Sequence, residues 1–176
     1  GTFLLARADI AVQMGLPVYG VVGYCGSFGD GIHKSIPAPG MGALACAVGG
    51  QQSPLARSLQ HFGLTADDIA VVYKHDTSTA ANDPNENELH HRIQRALGRS
   101  EGNPLFAVSQ KSLTGHAKGG AAAWQIIGLC QTLLQGRIAG NPNLDNVDPM
   151  MRSFSHLAFS NKTLDVGDAL PLRAGM

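Results

Sequence analysis

The sequence is short of cysteine, of net charge and of long apolar runs. Its 176 residues contain 3 cysteines, and 13 basic residues balance 13 acidic ones. The odd, unclustered cysteines (Cys25, Cys46 and Cys130) indicate neither a disulfide framework nor a CxxC metal site, and they favour a reducing, cytoplasmic setting. The balanced charge does not favour nucleic acid or an anionic membrane as a partner. No run approaches the ~18 apolar residues of a membrane span.

The length fits one domain or a piece of a larger one. Glycine is abundant, with 22 residues, which indicates tight turns and close helix packing. Both ends of the sequence are abrupt, because Gly1 enters a helical pattern at once and the last residues read as the approach to a strand. We therefore expect a fragment of a longer protein, and the first residues predict no signal peptide.

Short apolar runs alternate with helical patterns along the chain. Strands are predicted over 18–28, 69–73, 105–108 and 157–159, and helices over 3–14, 54–62, 88–97 and 117–134, with a breaker-rich loop over 29–39. The run over 18–28 is typical of a central strand buried on both faces. Trp124 is expected in the core. This alternation predicts an α/β structure with a mixed, largely parallel sheet flanked by helices.

Two of these strands are each followed by a polar loop that contains a histidine. His75 follows the strand over 69–73. Lys111 and His116 follow the strand over 105–108, at the mouth of the helix over 117–134. In open α/β sheets, sites form at the carboxyl ends of the strands. We therefore expect the two histidines to point into one pocket.

The two loops resemble the motifs of the β-ketoacyl synthases of the thiolase superfamily. His75-Asp-Thr-Ser-Thr79 stands where that family has His-Gly-Thr-Ser-Thr, and the acidic residues Asp83 and Glu86 follow. Lys111-Ser-Leu-Thr-Gly-His116 matches Lys-Ser-x-x-Gly-His. The resemblance covers nearly the whole chain and is strongest to the ketosynthase of giant type I fatty acid synthases. It implies that residues 1–176 are the C-terminal portion of a ketosynthase domain, half of a thiolase-like fold.

The resemblance implies an activity and a role for each residue. The activity is decarboxylative condensation of a malonyl-carrier thioester with an acyl thioester, in fatty acid chain elongation. His75 and His116 would be neutral imidazoles that donate N–H groups to the enolate oxygen. The helix N-terminus and Lys111 would keep His116 uncharged. Glu86 matches the glutamate that pairs with the motif lysine, with Asp83 as a supporting residue.

The partners and cofactors expected by resemblance follow from the same loop. Thr77 and Thr79 match threonines that hydrogen-bond the phosphopantetheine arm delivered by an acyl carrier protein or domain. Alternation in an extended loop would place both hydroxyls on one side. No cofactor or metal is expected to be held by this segment itself. The remaining expected partners are the rest of the ketosynthase domain and a second copy, as a homodimer within a larger synthase.

Two departures from the family leave alternatives open. Asp76 replaces the family glycine. None of the three cysteines matches the family nucleophile, which lies in a strand-to-helix elbow, although the residues around Cys46 superficially resemble such an elbow. The Gly-Phe-Gly loop of the family is not found either. One alternative is a non-catalytic ketosynthase-like segment for dimerisation or scaffolding, and another is a different acyltransferase of the thiolase superfamily. Gly40-Met-Gly-Ala-Leu-Ala45 follows no strand directly, so it does not predict a dinucleotide site.

Overall fold

The computed structural model describes residues 2–30, 41–167 and 172–176. The α-helices are α1 (Ala8–Gln13), α2 (Pro54–His61), α3 (Asp83–Ala96), α4 (Lys111–Thr114) and α5 (Ala121–Gln135). The strands are β1 (Ile69–Tyr73), β2 (Leu105–Val108), β3 (Arg137–Ile138), β4 (Leu157–Ala158), β5 (Leu164–Asp165) and β6 (Ala174–Gly175). Short 3-10 helices cover Met41–Ala47, Gly50–Gln52, Ala66–Asp68, Lys118–Gly120 and Pro149–Ser153. Most of the loop predicted over 29–39 lies outside the described residues.

A parallel sheet with the strand order β4-β2-β1-β6 is the centre of the fold. Val71 lies opposite Phe106, and Tyr73 lies opposite Val108, so β1 and β2 are parallel neighbours. β6 and β4 add to the two sides in the same direction, whereas β3 and β5 form a separate antiparallel pair. The α/β prediction is confirmed. Since β1 and β2 run in parallel, the loops that follow them leave the sheet at the same edge.

Both faces of the sheet are covered by apolar side chains. One face packs against α2 and α3 in a cluster that includes Ile69, Val72, Ile93 and Leu105. On the other face, Val71 packs in a second cluster. Full burial of such a side chain stabilises the fold by about 1.5–3 kcal/mol. The apolar run of β1 is explained by this burial on both sides.

The start of α2 and the turn before β1 are determined locally. Ser53 Oγ accepts from the main-chain N–H of Ala56 at 3.3 Å, and Pro54 occupies the first turn of the helix. At the 3-10 turn that leads into β1, the hydroxyl of Thr65 accepts from the main-chain N–H of Asp67 at 3.3 Å, and the carboxylate of Asp68 accepts from the main-chain N–H of Thr65 at 2.8 Å. These contacts join residues two or three positions apart, so they depend on the local sequence alone.

The strand predicted over 18–28 is wrong. Residues 16–30 have no regular secondary structure, and Val18, Tyr19, Val21 and Val22 are exposed. Cys25, expected inside this strand, is exposed too. β-branched residues form a strand only where a neighbouring backbone supplies hydrogen bonds and side-chain packing. No described strand pairs with this segment.

Three helices differ from their predicted bounds or environment. The helix predicted over 3–14 contracts to α1, and the one predicted over 88–97 begins earlier, at Asp83. The predicted helix over 117–134 is split, because Lys118 has a left-handed backbone with φ 47° and starts a separate 3-10 turn before α5. Trp124 in α5 is exposed, not in the core. The described part of the chain provides no cover for that face of α5.

None of the helices in residues 2–30, 41–167 and 172–176 combines the length and the apolar character needed to cross a membrane.

Arg99 joins the turns that precede β1 and β2. Its guanidinium is buried and donates five hydrogen bonds of 2.5 to 3.2 Å. The acceptors are the main-chain carbonyls of Ala66, Ile69, Asn103 and Pro104 and the side-chain oxygen of Gln94. A single side chain therefore satisfies the buried carbonyls of two turns.

We predict that Arg99→Met lowers the free energy of unfolding by about 3 kcal/mol or more, because buried acceptors lose their donor. Denaturant unfolding measures the change. Arg92→Met is the matched control, since Arg92 is exposed on α3, and its effect should stay within about 0.5 kcal/mol. Equal losses in the two variants would contradict the role given to Arg99.

Candidate active site

The two histidine loops meet beyond the carboxyl ends of β1 and β2. The ring centroids of His75 and His116 are 5.5 Å apart, and the ring planes cross at 87°. Both histidines are exposed at this edge of the sheet. The structure thus brings together the two histidines that the motifs singled out.

Lys111 connects the second loop to the first. Its Nζ donates to the main-chain carbonyl of His75 and lies 3.3 Å from His75 Nδ1. Burial lowers the pKa of Lys111, and the nearby carboxylates of Glu86 and Asp76 oppose that shift. An ammonium group has donors but no acceptor, so His75 Nδ1 accepts in this contact. The neutral His75 ring then carries its proton on Nε2.

His116 has the same tautomer for a different reason. The main-chain N–H of Lys118 donates to His116 Nδ1 at 3.0 Å. A neutral ring that accepts at Nδ1 carries its proton on Nε2. The long helix α5 begins at Ala121, and one 3-10 turn separates it from His116. The prediction that His116 lies directly at the start of this helix is therefore corrected by one turn. Each imidazole therefore presents one Nε2–H donor.

Glu86, in the first turn of α3, holds the main chain of the His75 loop. Its carboxylate accepts from the N–H groups of His75 at 2.6 Å and Asp76 at 2.8 Å, and from Asn82 Nδ2 at 3.1 Å. The ion pairs among the described residues do not include the expected one between Glu86 and Lys111. The two side chains act on the same residue instead, because Glu86 binds the N–H of His75 and Lys111 binds its carbonyl.

The carboxylate of Glu86 is kept ionised by its neighbours. Burial by itself would raise the pKa of Glu86, but hydrogen bonds from His90 and from the N–H groups of Asp76 and His75, together with the charge of Lys74, lower it from 4.5 to about 2. An ionised carboxylate can accept from all these donors at once.

Thr77 and Thr79 place their hydroxyls on one side of the loop, as expected. The two Oγ1 atoms are 3.4 Å apart, and Thr79 Oγ1 also accepts from the main-chain N–H of Asn82 at 3.1 Å. The loop is not extended, however, because Ser78 between them has a left-handed φ of 58°. Asp83 lies at the start of α3, where its carboxylate accepts from Asn82 Nδ2 at 3.2 Å.

Sequence reasoning missed Lys74, which directly precedes His75. Its ammonium is buried and lies 2.9 Å from Asp76 Oδ2 and 2.9 Å from Asn87 Oδ1. Asp76 has a left-handed φ of 42°. Burial raises the pKa of Asp76, Lys74 opposes this, and the charges of Asp83 and Glu86 raise it further. The available signal was a lysine and an aspartate flanking a motif histidine, with the aspartate at the family's glycine position.

The elbow after β2, which runs from Ser109 to His116, is held in place by residues that are distant in the sequence. Asn141 is buried, and its side chain accepts from the N–H of Ser109 at 2.7 Å and donates to the carbonyl of Ala107 at 3.0 Å. Gly128 brings α5 close to the same place, since a Cβ there would come within 2.6 Å of Gln110 Oε1 and 2.9 Å of the Tyr73 ring. No motif pointed to these contacts, because they join segments far apart in the chain.

Other candidate sites are less well supported. Cys46 is buried among core residues, and burial raises the pKa of its thiol. Among the described residues, no group of three or more histidine, cysteine, aspartate or glutamate side chains is placed to hold a metal ion. An open groove of about 510 Å³ lies between residues 44–50 and the end of α3, with Arg92 and Arg95 at its side, and no residue of the two histidine loops lines it.

Comparison with known proteins shows the family. Residues 19–145, more than half of the chain, match the model of the "Beta-ketoacyl synthase, C-terminal domain". The chain therefore belongs to the β-ketoacyl synthases, within which it corresponds to the C-terminal domain.

Its relatives include fungal fatty acid synthases. Fatty acid synthase alpha subunit stcJ of Emericella nidulans is 47% identical over 166 residues, which cover 93% of this chain and 11% of that subunit. Fatty acid synthase subunit alpha of Saccharomyces cerevisiae is 30% identical over 93% of this chain and 13% of its own length. The chain thus spans about a tenth of the length of these curated relatives.

Solved structures agree with this assignment. The noncanonical ketosynthase FabY from P. aeruginosa is similar with a TM-score of 0.76 and 28% identity, over 93% of this chain and 24% of that one. A type II polyketide ketosynthase, AntDE, in complex with its acyl-carrier protein AntF, is similar with a TM-score of 0.64 and 25% identity, over 90% of this chain and 35% of that one. The thiolase-like fold class is confirmed by these ketosynthases.

The low pKa of Glu86 predicts acid sensitivity of the His75 loop. A carboxyl group whose pKa falls from 4.5 to about 2 on folding stabilises the folded state above pH ~4.5 and loses that contribution as the pH falls towards 2. The contribution at neutral pH is on the order of 3 kcal/mol.

We expect Glu86→Gln to lower the unfolding free energy at pH 7 and to flatten its decrease between about pH 5 and 2. Denaturant titrations at several pH values measure this. Glu88→Gln, at a half-exposed position of the same helix, should keep the wild-type pH dependence. If Glu86→Gln and the wild-type protein lose stability in parallel, the predicted contribution of Glu86 is wrong.

Proposed function

We propose that this chain supplies the decarboxylation and enolate-stabilising half of a 3-oxoacyl-[acyl-carrier-protein] synthase that elongates fatty acyl chains. The observation that carries the proposal is the pair of imidazoles of His75 and His116, whose ring centroids are 5.5 Å apart. The Nδ1 atom of each ring faces a donor, which leaves Nε2 to carry the proton of a neutral ring. Relatives that are fatty acid synthase alpha subunits support the pathway.

The chemistry needs donors at one developing oxygen charge. Decarboxylation breaks the bond between the malonyl carboxylate and the α-carbon, releases CO₂ and passes the electron pair into the thioester as an enolate. The α-carbon then attacks the carbonyl of the acyl thioester, forms the new C–C bond and expels the cysteine thiolate. His75 and His116 would donate to the enolate oxygen, where preorganised N–H groups lower the barrier by several kcal/mol.

Lys111 and Glu86 would hold His75 in the productive orientation. Lys111 contacts both the carbonyl and Nδ1 of His75, and Glu86 binds the main-chain N–H of the same residue. These contacts fix the loop and the tautomer, which leaves Nε2 as the donor. Asp83 would support the loop at the start of α3.

The carrier and its phosphopantetheine arm would approach over the same edge of the sheet. Thr77 and Thr79 have hydroxyls 3.4 Å apart on one side of the loop, where they could hydrogen-bond the amides of the arm. A ketosynthase in complex with its acyl-carrier protein is among the similar structures. An acyl carrier protein or domain is therefore the partner that we propose.

The rest of the ketosynthase domain, with the acyl-bearing cysteine, is the second proposed partner. This chain covers only 24% of the similar ketosynthase FabY, and the apolar side chains of the 18–28 segment and of Trp124 are exposed. Apolar surface of this kind is typical of an interface. A homodimer and a cytoplasmic location remain predictions from the family resemblance and the cysteine pattern.

We expect His75→Ala and His116→Ala, each made in the full-length protein, to slow CO₂ release from the malonyl-carrier thioester by about 10²–10³-fold, because the enolate oxygen loses a donor. Radiolabelled CO₂ measures the rate directly. His61→Ala, at an exposed histidine that ends α2, is the control and should leave the rate unchanged.

Unchanged CO₂ release in both His75→Ala and His116→Ala would reject the proposed roles. The same result would favour the alternative in which the segment serves only for dimerisation or scaffolding. Condensation by another acyltransferase route would appear as product formation without CO₂ release.

The 176-residue chain by itself should form no 3-ketoacyl product. None of its three cysteines matches the family nucleophile, and Cys46 is buried with a raised thiol pKa. The test is to incubate the isolated chain with acyl and malonyl carrier thioesters and to measure 3-ketoacyl product by mass spectrometry. Detection of 3-ketoacyl product would contradict this expectation.

A further inference from the structure

The residues on either side of His75 form a buried ion pair. Lys74 Nζ lies 2.9 Å from Asp76 Oδ2, and the two side chains are 2% and 16% exposed. The ammonium of Lys74 also donates to Asn87 Oδ1 at 2.9 Å and lies 5.5 Å from the centroid of the Phe159 ring. A lysine so deeply buried is stable as a cation only with such partners.

Lys74 touches the elements that carry both histidines. Its side chain contacts the His75 loop through Asp76 and contacts α3 through Asn87. Its main-chain carbonyl accepts from the side-chain amide of Gln125 on α5, the helix that follows the His116 turn. Its main-chain N–H donates to the carbonyl of Val108 at the end of β2. A shift of Lys74 would therefore move His75 relative to His116.

Asp76 adopts a backbone conformation that favours glycine. Its φ of 42° lies in the left-handed region, which aspartate tolerates better than most residues but at some cost. We therefore expect the carboxylate of Asp76 to make a stabilising contact that glycine could not make. That contact is the ion pair between the Asp76 carboxylate and the ammonium of Lys74.

We propose that Lys74 and Asp76 are mutually dependent positioning residues, which hold His75 against His116 through their buried ion pair. Each one makes the other tolerable: Asp76 neutralises the buried ammonium, and Lys74 compensates a carboxylate that lies close to Asp83 and Glu86. Neither residue touches the reacting atoms. The inference rests on the proposed function, because its main readout is the decarboxylation step that uses the two histidines.

The ion pair predicts that replacing Asp76 with glycine, the residue of the family motif, impairs the reaction. Asp76→Gly relieves the left-handed backbone but leaves Lys74 as an unpaired buried cation. We expect kcat for CO₂ release in the full-length protein to fall about 10- to 100-fold, because a displaced donor loses much of its effect. KM for the malonyl-carrier thioester should change less than kcat, since the proposed carrier contacts, Thr77 and Thr79, are themselves kept in this variant.

A second substitution should reverse that loss. Lys74→Met keeps the length of the side chain and removes its charge, so the Lys74→Met/Asp76→Gly double variant should have a higher kcat than Asp76→Gly alone. Asp76→Asn keeps the size of the side chain and its tolerance of the left-handed backbone but removes the charge. It therefore tests the charge separately from the backbone conformation, and we expect the kcat of this variant to fall as well. Lys162→Met, at an exposed lysine, is the control and should match the wild-type protein.

The outcomes separate this inference from the proposed function. If His75→Ala slows CO₂ release while Asp76→Asn and Asp76→Gly have wild-type kcat, the pairing is rejected and the proposed function stands. Rejection also follows if the two substitutions of the double variant simply add their losses. If His75→Ala itself has no effect, the proposed function fails, and thermal unfolding then tests the ion pair alone: Asp76→Gly must lower the melting temperature and Lys74→Met must restore it.

Discussion

The parallel pairing of β1 with β2 is the constraint on which the rest of the structure depends. Their register places Tyr73 opposite Val108, so both strands end at the same level. Because parallel strands send the following loops to one edge of the sheet, the His75 loop and the Lys111–His116 elbow meet there. Arg99 fixes the turns that enter both strands. The position of the candidate site thus follows from the geometry of the two strands.

Around that edge, hydrogen bonds to main-chain groups orient the side chains. Lys111 and Glu86 bind the carbonyl and the N–H of His75, and the N–H of Lys118 determines the tautomer of His116. This arrangement explains how Glu86 and Lys111 cooperate without an ion pair between them.

Much of the fold was predictable because it depends on short-range chemistry. The bounds of β1 and β2, the cap of α2 at Ser53 and the capped turn that starts at Thr65 follow from residues adjacent in sequence. The segment over 18–28 and Trp124 were not predictable in the same way. Their apolar character indicates burial, but burial requires a partner surface, and the described chain leaves both exposed.

The sequence by itself determined the family and singled out the motif residues of the two histidine loops, because motif residues are recognised by their type and spacing. Only the tertiary structure decided how they act on one another: which donor faces Nδ1 of each histidine, and which groups Glu86 binds. The buried pairing of Lys74 with Asp76 was also visible only there. The physical reason is that desolvation and hydrogen bonding depend on which groups the fold brings within about 3 Å, and local sequence does not encode those distances.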